Sequence, residues 1–399
     1  MSISKDVAKV QPSATLAMSS KTKAMIKKGV DVINLSIGEP DFTTPEQIKQ
    51  AAIDAIKSGK ASFYTPAGGL PELKQAVCDR IKLEDGVEYN PNQVIVTDGA
   101  KFSLFLIFQV ILNEGEDVLL PEPFWVSYAE QVHLAGGNAI AVKTTGKDHK
   151  VTVADLDRSI TPSTQALVIN SPQNPSGLVY EADELEAIGN WAVKHDILII
   201  ADDIYSNLIF NGHKFTSIVT LGDEIKKHTL LVSGVSKTYS MTGWRIGYVL
   251  GDEKIIKIMN TVASHATGNP AAVSQYAAIE ALTNDQSDAK KMRQAFEDRL
   301  NIFYPKIANL PGFDLPTKPQ GAFYLFPNVK KAVSLCGFNN TEEFVNALLE
   351  EAHVAVVSGK AFSQPDNIRF SYANSKENLL EAYDRIVKFL NNHGVTVNE

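Results

Sequence analysis

The chain has 399 residues, of which 44% are hydrophobic and 21% charged, a composition that is ordinary for a soluble globular enzyme. It is too long for one simple core, so we expect two domains. The net charge of −8 argues against a nucleic-acid partner, which would require a basic surface, and no apolar run is long enough to span a bilayer.

Cysteine usage and the N-terminal sequence bear on the cellular compartment. The two cysteines, Cys78 and Cys336, form no CxxC pair, so reduced thiols are the simpler account. The first residues lack the apolar core of a secretory signal, and arginine is absent before Arg80, which disfavours organellar targeting. We therefore expect a cytoplasmic protein. The histidines show no ligand spacing, so no metal site is predicted.

Short β-branched runs alternate with helical patterns through the middle of the chain. Buried strands are predicted at residues 93–97, 117–120, 166–170, 197–201 and 229–233, and helices at 102–112, 124–135 and 181–195. The strands are near-continuous apolar runs, as expected when both faces of a sheet are buried. This order predicts an α/β fold with a mainly parallel sheet covered by helices on both faces.

The pattern changes near residue 285. Helices are predicted at 288–308, 341–352 and 376–391, and a strand at 354–357. We interpret residues 286–399 as a smaller α+β domain and residues 46–285 as the large domain. Residues 1–45 show little sheet pattern, and we expect this segment to pack on the small domain.

Polar or glycine-rich turns follow four of the predicted strands, at residues 98–101, 171–177, 202–205 and 233–237. Ligands in open α/β sheets bind beyond the carboxyl ends of the strands. The four turns therefore predict one common site.

The segment from Gly234 to Gly247 is the most informative part of the chain. It places Lys237 among small and apolar residues, with Arg245 eight positions later. A lysine held in such a pocket loses solvation of its charged form, so its pKa falls and its amine becomes nucleophilic. The arginine offers a fork of donors suited to a phosphate. Together they predict a seat for a phosphate-bearing aldehyde such as pyridoxal phosphate; a surface lysine on a loop is the alternative.

Two other strand ends carry candidate residues. Asp202 ends a buried strand, where a carboxylate needs a partner, and a protonated pyridine nitrogen would be one. A helix-capping or turn aspartate is the alternative, and it suits the neighbouring Asp203. Gly99 and Ala100 open a helix directly after a strand, so their backbone N–H groups and the helix dipole suit a phosphate.

In order and spacing these segments resemble the fold-type I pyridoxal-phosphate enzymes of the class I aminotransferase family, and within it the bacterial aspartate aminotransferases of the Iβ type. The resemblance covers nearly the whole chain and is carried by three segments: Gly234–Gly247, Ser171–Gly177 and Ala201–Tyr205. It implies a large domain built on a seven-stranded, mainly parallel sheet and a smaller α+β domain. It also implies a homodimer.

The resemblance gives the cofactor-binding residues their roles. Lys237 would hold the cofactor covalently and then serve as base and acid at the substrate α-carbon. Asp202, rather than Asp203, would meet the ring nitrogen. Asn174 and Tyr205 would hydrogen-bond the phenolic oxygen of the cofactor. Taken alone, Asn174 is an ordinary turn residue between two prolines.

Further residues would complete the cofactor site. By the same resemblance Ser236 and Arg245 bind the phosphate together with the helix opening at Gly99 to Lys101. Trp125 would stack on the ring, although a tryptophan at a helix start is otherwise usually part of a core. Tyr64 resembles the family tyrosine that reaches the phosphate of the neighbouring subunit; a loop aromatic packed in a core is the alternative.

Substrate binding is expected at the second domain and the N-terminal loop. Arg369 lies in an apolar strand, where an arginine calls for a carboxylate, and in the family it clamps the substrate α-carboxylate. Asn174 and Trp125 would also contact the substrate. Ile37 and Gly38 resemble the loop that closes over the substrate, which would exclude water.

Substrate choice depends on Lys101. In the Iβ aspartate enzymes a lysine at this point reaches the distal carboxylate, helped by the hydroxyl residues of Pro12–Thr15, and both elements are present here. A solvated first-turn lysine is the alternative. Relatives that also accept prephenate carry a basic residue before this stretch; this chain has Gln11, which puts that activity in doubt.

These residues predict an enzyme that passes an amino group from L-aspartate to 2-oxoglutarate in two half-reactions. The partners would be small amino acids and 2-oxo acids, without nucleic acid or membrane. An aminotransferase of aromatic or neutral amino acids, or a β-lyase, would keep the same cofactor. A cofactor-binding regulator without turnover is a further alternative, but the chain has no residues to spare for a DNA-binding module.

Overall fold

The computed structural model describes residue 10, residues 14–145 and residues 148–397, without the side chains of residues 14–16. Within these residues the strands are β1 (Ile33–Asn34), β2 (Val94–Thr97), β3 (Asp117–Pro121), β4 (Asn138–Val142), β5 (Thr164–Asn170), β6 (Leu198–Asp202), β7 (Thr229–Gly234), β8 (Gly247–Leu250), β9 (Tyr324–Leu325), β10 (Val354–Ala355), β11 (Val357–Ser358) and β12 (Ile368–Ser371).

The helices of the same residues are α1 (Ala14–Lys27), α2 (Glu46–Lys57), α3 (Pro71–Asp85), α4 (Ala100–Ile111), α5 (Ser127–Leu134), α6 (Val153–Ser159), α7 (Ala182–Lys194), α8 (Asp223–Lys227), α9 (Glu253–Ala266), α10 (Ala272–Thr283), α11 (Ser287–Ala308), α12 (Lys330–Leu335), α13 (Thr341–Glu350) and α14 (Lys376–Asn392). None of these helices is both long and apolar enough to cross a membrane.

The described part of the chain builds its large sheet from seven strands in the order β2-β8-β7-β6-β5-β3-β4. Neighbours are parallel except for β8, which is antiparallel to both β7 and β2. The register places Asn170 opposite Asp202, so the carboxyl ends of β5 and β6 lie side by side. This edge is where ligands bind in open parallel sheets.

Both faces of the large sheet are buried because successive strand residues point to opposite sides. Val94 and Val96 pack into one core cluster with α3, α7 and α10, whereas Ile95 packs into another with α4, α5 and α9. The same alternation places Leu119 in the first cluster and Val118 in the second. The sheet is therefore fixed in register by apolar contacts on both sides.

A further core lies away from the large sheet, among α11, α13, α14 and the short strands. There β1 pairs in parallel with β10, and β11, β12 and β9 form an antiparallel sheet. Ile33 and Leu35 from the N-terminal segment belong to this core, and so do Ile204 and Tyr205 from the end of β6. The site-bearing edge of the large sheet is thus packed directly against this core.

The predicted fold class, a mainly parallel sheet with a smaller α+β part, is confirmed. The single strand predicted at 354–357 is wrong, because the chain divides after Ala355 into β10 and β11, which join different sheets. The helix predicted at 124–135 begins only at Ser127. Two strands were not predicted from the sequence: β4, which is a half-exposed edge strand, and β8, which begins at a glycine within the lysine segment.

Candidate active site

A cavity of about 300 Å³ opens at the carboxyl ends of β5, β6 and β7, a size within the range of small-molecule sites. It is lined by side chains from the large sheet, from the N-terminal loop and from β9 and β12. Most of the predicted site residues line it, namely Ile37, Gly38, Ala100, Lys101, Trp125, Asn174, Asp202, Tyr205, Ser236, Lys237, Arg245 and Arg369.

Lys237 follows β7 and lines the cavity, which excludes the alternative of a lysine on an exterior loop. Its ammonium donates a hydrogen bond to the carbonyl oxygen of Gly38, 2.6 Å away. Burial lowers the pKa of Lys237 to about 8, and the nearby Glu39 carboxylate opposes this shift. Half of this amine is neutral at about pH 8, where an ordinary lysine is almost fully charged, and the neutral form is the one that attacks a carbonyl.

Asp202 ends β6 with its carboxylate turned into the cavity. The Tyr128 hydroxyl donates to Oδ2 over 2.6 Å, and the backbone N–H of Ile204 donates to Oδ1 over 3.3 Å. Burial raises the pKa of Asp202, and the hydrogen bond from Tyr128 opposes this rise. In the described residues no cation lies within ion-pair distance, so the carboxylate is suited to a cationic ligand group.

Asp203 is oriented away from this cavity. Its Oδ2 accepts a hydrogen bond of 2.7 Å from the Ser217 hydroxyl, and its side chain lines a separate cavity of about 250 Å³ beside Arg80 and Asp85. The two neighbouring aspartates are therefore divided between two cavities, as expected for successive residues at a strand end.

Arg245 lies beside the N-terminus of α4. Its guanidinium donates to the carbonyl oxygens of Thr242 at 2.9 Å and Asp98 at 3.1 Å. Gly99 does not line the cavity but lies directly against this guanidinium, where a Cβ would collide with it. Ala100 and Ser236 line the same cavity as this guanidinium, so helix N–H groups, a hydroxyl and a cation are available there to an anion.

Arg369 is buried on β12. Its Nη1 donates to Asn174 Oδ1 at 3.0 Å, and its Nη2 donates to the Ser36 carbonyl at 2.8 Å. Among the described residues its Nε is buried without a hydrogen-bond partner. An unsatisfied buried donor on a cation marks a place where a carboxylate would bind with a gain in free energy.

Lys101 lies at the mouth of the cavity. The residue as a whole is exposed, but its ammonium lies 4.8 Å from the centre of the Trp125 ring. The pKa of Lys101 is lowered, mainly because its ammonium is partly buried and to a smaller extent because Arg245 repels it. No carboxylate of the described chain is within ion-pair distance of it. Pro12 and Ser13, and the side chain of Thr15, lie outside the described residues.

Tyr64 is not brought to the cavity. Its side chain is 98% exposed, so the alternative of a tyrosine packed in the core is wrong. The neighbouring Phe63 is 75% exposed as well. The loop that carries both aromatic side chains is therefore available to another molecule.

The sequence patterns did not predict two tyrosines of the cavity, Tyr128 and Tyr324. The Tyr128 hydroxyl donates a hydrogen bond to the Asp202 carboxylate. The hydroxyl oxygens of Tyr324 and Tyr205 are 2.8 Å apart. The only local signal for Tyr128 is its place three residues after Trp125, on the buried side of α5. Tyr324 gave no signal of its own, since it reads as one more apolar residue of a short strand.

A lysine with a lowered pKa, a buried carboxylate and two anion-binding groups in one cavity suit a carbonyl compound that carries an anionic group. Residues 30–386 match the family model of aminotransferase class I and II. The chain belongs to this family, and it is an aminotransferase, as its sequence motifs predict.

Close relatives extend over the whole chain. It is 48% identical to the aspartate aminotransferase of Bacillus subtilis (strain 168), covering 98% of this chain and 100% of that protein. It is also 48% identical to the asparagine–oxo-acid transaminase of Streptococcus mutans, and the match covers 97% of this chain and 99% of that protein. A solved structure of Thermus thermophilus aspartate aminotransferase with maleate has a TM-score of 0.92 at 38% identity, covering 98% of this chain and 100% of that one.

The lowered pKa of Lys237 predicts how the free protein reacts with an amine-specific reagent. Acetylation of Lys237 by acetic anhydride should rise with pH with a midpoint of about 8, because only the neutral amine reacts. Peptide mass spectrometry would follow the labelling, with exposed lysines of the same sample as internal reference. A midpoint close to the ordinary value of about 10.4 would contradict the burial argument.

Proposed function

We propose that this enzyme transfers the amino group of L-aspartate to 2-oxoglutarate, using pyridoxal 5′-phosphate in a ping-pong cycle. The observation that carries the proposal is one cavity in which Lys237 lies among three groups without ionic partners in the described chain: the Asp202 carboxylate and the cations of Arg369 and Lys101. A cofactor and a dicarboxylate together would satisfy all three.

The residues present fit the cofactor. Asp202 would pair with the protonated ring nitrogen, and Trp125 would stack on the ring. Asn174 and Tyr205 would donate to the phenolic oxygen. Ser236 and Arg245, with the backbone N–H groups at Gly99 to Lys101, would bind the phosphate. When bound, pyridoxal phosphate supplies an electron sink for the substrate α-carbon.

Lys237 would do two kinds of work. Its neutral amine, favoured by the lowered pKa, would hold the cofactor aldehyde covalently. When free, the same Nζ would act as the base that takes the proton from the substrate α-carbon and as the acid that gives it back. In the structure, the carbonyl of Gly38 holds this amine in the cavity.

Arg369 would bind the substrate α-carboxylate through its free Nε and the edge it presents to Asn174. Because the same guanidinium also holds the carbonyl of Ser36, carboxylate binding is linked to the position of the loop at Ile37 and Gly38. That loop lines the cavity and would exclude water when the substrate is bound.

Lys101 would select dicarboxylates. A cation that lies against Trp125 without an anionic partner in the described chain would gain a charge-assisted hydrogen bond from a distal carboxylate. A neutral side chain such as that of alanine or phenylalanine would leave it unpaired, so the site would reject it. The Thermus relative was solved with maleate, which is a dicarboxylate. The name of the Streptococcus relative makes asparagine the competitor to test.

A homodimer in the cytoplasm is part of the proposal. Arg245, at the phosphate end of the cavity, is exposed, and so are Phe63 and Tyr64 on their loop. If a second copy packs on this side, its Tyr64 would reach the phosphate and its Phe63 would be removed from water. The site would then be complete only between two chains.

The proposal predicts a fixed order of substrates and a specific effect of Lys101→Ala. Wild-type enzyme should use aspartate far better than alanine or phenylalanine. The variant should raise KM for aspartate and 2-oxoglutarate by roughly 10-fold or more, the value of a hydrogen bond to a charged group, and change KM for alanine little. Steady-state rates with aspartate, asparagine, alanine and phenylalanine give the measurement. Lys101→Arg, which keeps the charge, is the matched control; equal effects on all substrates would refute the role.

The two aspartates at the end of β6 offer a matched pair. Asp202→Asn keeps an acceptor for Tyr128 but removes the charge, so affinity for pyridoxal phosphate should fall by roughly 10-fold or more and turnover should fall with it. Asp203→Asn should leave both within about 2-fold, since Asp203 lines the other cavity. Cofactor titration of the apo protein checks this. Reversed effects would show that the wrong aspartate was assigned.

Sharing of the site between subunits can be tested by mixing two inactive variants. Tyr64→Ala and Lys237→Ala each damage every site of their own homodimers. After unfolding and refolding together, half of the dimers are hybrids with one intact site, so activity should return to about a quarter of wild type. Mixed chains that stay as inactive as the separate ones would mean that Tyr64 does not act in the partner's site.

A further inference from the structure

Tyr324 lines the cavity from the side of the smaller sheets. It lies on β9, is 1% exposed and faces Ser371 of β12, two residues from Arg369. Its hydroxyl oxygen is 2.8 Å from that of Tyr205, a hydrogen bond that joins β9 to the end of the large sheet. Both side chains line the same cavity.

The direction of this hydrogen bond matters because each phenol has a single proton. If Tyr205 donated to Tyr324, it would have no proton left for the phenolic oxygen of the cofactor. If Tyr324 donates, the Tyr205 oxygen accepts and its own proton stays free for the cofactor. A phenol that accepts one hydrogen bond is also a stronger donor of the next, since hydrogen bonds in a chain polarise one another.

The surroundings hold Tyr324 in place. The Arg369 guanidinium lies over its ring, 4.5 Å from the ring centre, and Phe323 packs on it at 4.8 Å. Gly38 approaches so closely that a Cβ there would lie 2.6 Å from the Tyr324 oxygen. The hydroxyl therefore has little freedom to turn away from Tyr205, and its only hydrogen bond within the described residues is this one.

Burial leaves both phenols protonated at neutral pH, and the charges that face the pair do not reverse this. These charges are the cations of Arg369 and Lys237 and the carboxylate of Asp202. Burial raises the pKa of Tyr205 well above its ordinary value, and burial also raises the pKa of Tyr324. Each hydroxyl thus has its proton to give.

We propose that Tyr324 is a positioning residue: its hydroxyl donates to the Tyr205 oxygen, which directs and strengthens the hydrogen bond from Tyr205 to the phenolic oxygen of the cofactor. The inference rests on the proposed function, because it takes the role of Tyr205 from there. The ring of Tyr324 has a separate task, since it supports Arg369 from one side.

The experiment uses cofactor-loaded wild type, Tyr324→Phe, Tyr205→Phe and the double variant. For each protein the pH midpoint of the absorbance change of the bound cofactor and the dissociation constant of pyridoxal phosphate are measured. Tyr205→Phe should raise the pH midpoint by about 1 to 2 units, as expected for a lost hydrogen bond to an anion. Tyr324→Phe should raise it by about 0.2 to 0.5 unit, the share carried by one cooperative hydrogen bond.

In the double variant, Tyr324→Phe should add nothing to the effect of Tyr205→Phe, because the inferred action passes through the Tyr205 oxygen. KM for aspartate should change by less than about 2-fold in Tyr324→Phe, since the ring below Arg369 remains. Tyr372→Phe serves as control: this buried hydroxyl donates to the Ala322 carbonyl, does not line the cavity and should not shift the pH midpoint.

The outcomes separate the inference from the function beneath it. The positioning role is overturned if Tyr324→Phe leaves the pH midpoint of wild type unchanged. It is also overturned if Tyr324→Phe shifts the midpoint by the same amount in wild type and in the Tyr205→Phe variant. The proposed function stands in both cases. If wild type binds no pyridoxal phosphate, or Tyr205→Phe has no effect, the role proposed for Tyr205 fails, and the inference fails with it.

Discussion

The loss of water around Lys237 is the constraint on which the rest of the site depends. The packing that buries its amine also deprives Asp202 of solvent, so both groups are left in energetically unfavourable states that a ligand can relieve. Removing this burial would return the lysine to an ordinary cation and the aspartate to an ordinary surface carboxylate. Because β6 and β7 end side by side, the fold brings Asp202 and Lys237 into the same solvent-poor cavity.

The loop from Ser36 to Gly38 joins the parts of the molecule that the substrate would bridge. It follows β1, which pairs with β10, so it is attached to the smaller sheets and not to the large one. Its carbonyls nevertheless accept hydrogen bonds from Arg369 and Lys237. When either cation binds a ligand, its hydrogen bond to the loop carbonyl can be lost. Ligand binding at Lys237 is thereby linked to the position of the loop.

The sequence was informative wherever chemistry depends on neighbours along the chain. Lys237 and Arg245 lie in one segment, and the buried strands are apolar runs with recognisable turns at their ends, so the fold class followed. Tyr128 and Tyr324 could not be found in this way, because their partners lie 74 and 119 residues away. The division of 354–357 between two sheets was hidden as well, since an apolar run does not show which neighbours its residues pair with. Local patterns left the choice between Asp202 and Asp203 open, because it depends on which way each side chain faces.

The antiparallel strand β8 has a consequence for the spacing between the lysine and the arginine. Gly234 at the end of β7 pairs with Gly247 at the start of β8, so the intervening loop leaves the large sheet and rejoins it at a single edge. Gly247 also pairs with Thr97, the last residue of β2, and lies against the backbone that opens α4. The pairing of Gly247 with Gly234 and Thr97 fixes both ends of this loop. An insertion would therefore have to bulge outwards without moving either end, and a deletion would pull Arg245 away from the N-terminus of α4. Loop length here is therefore far less free to vary than in an ordinary connection between strands.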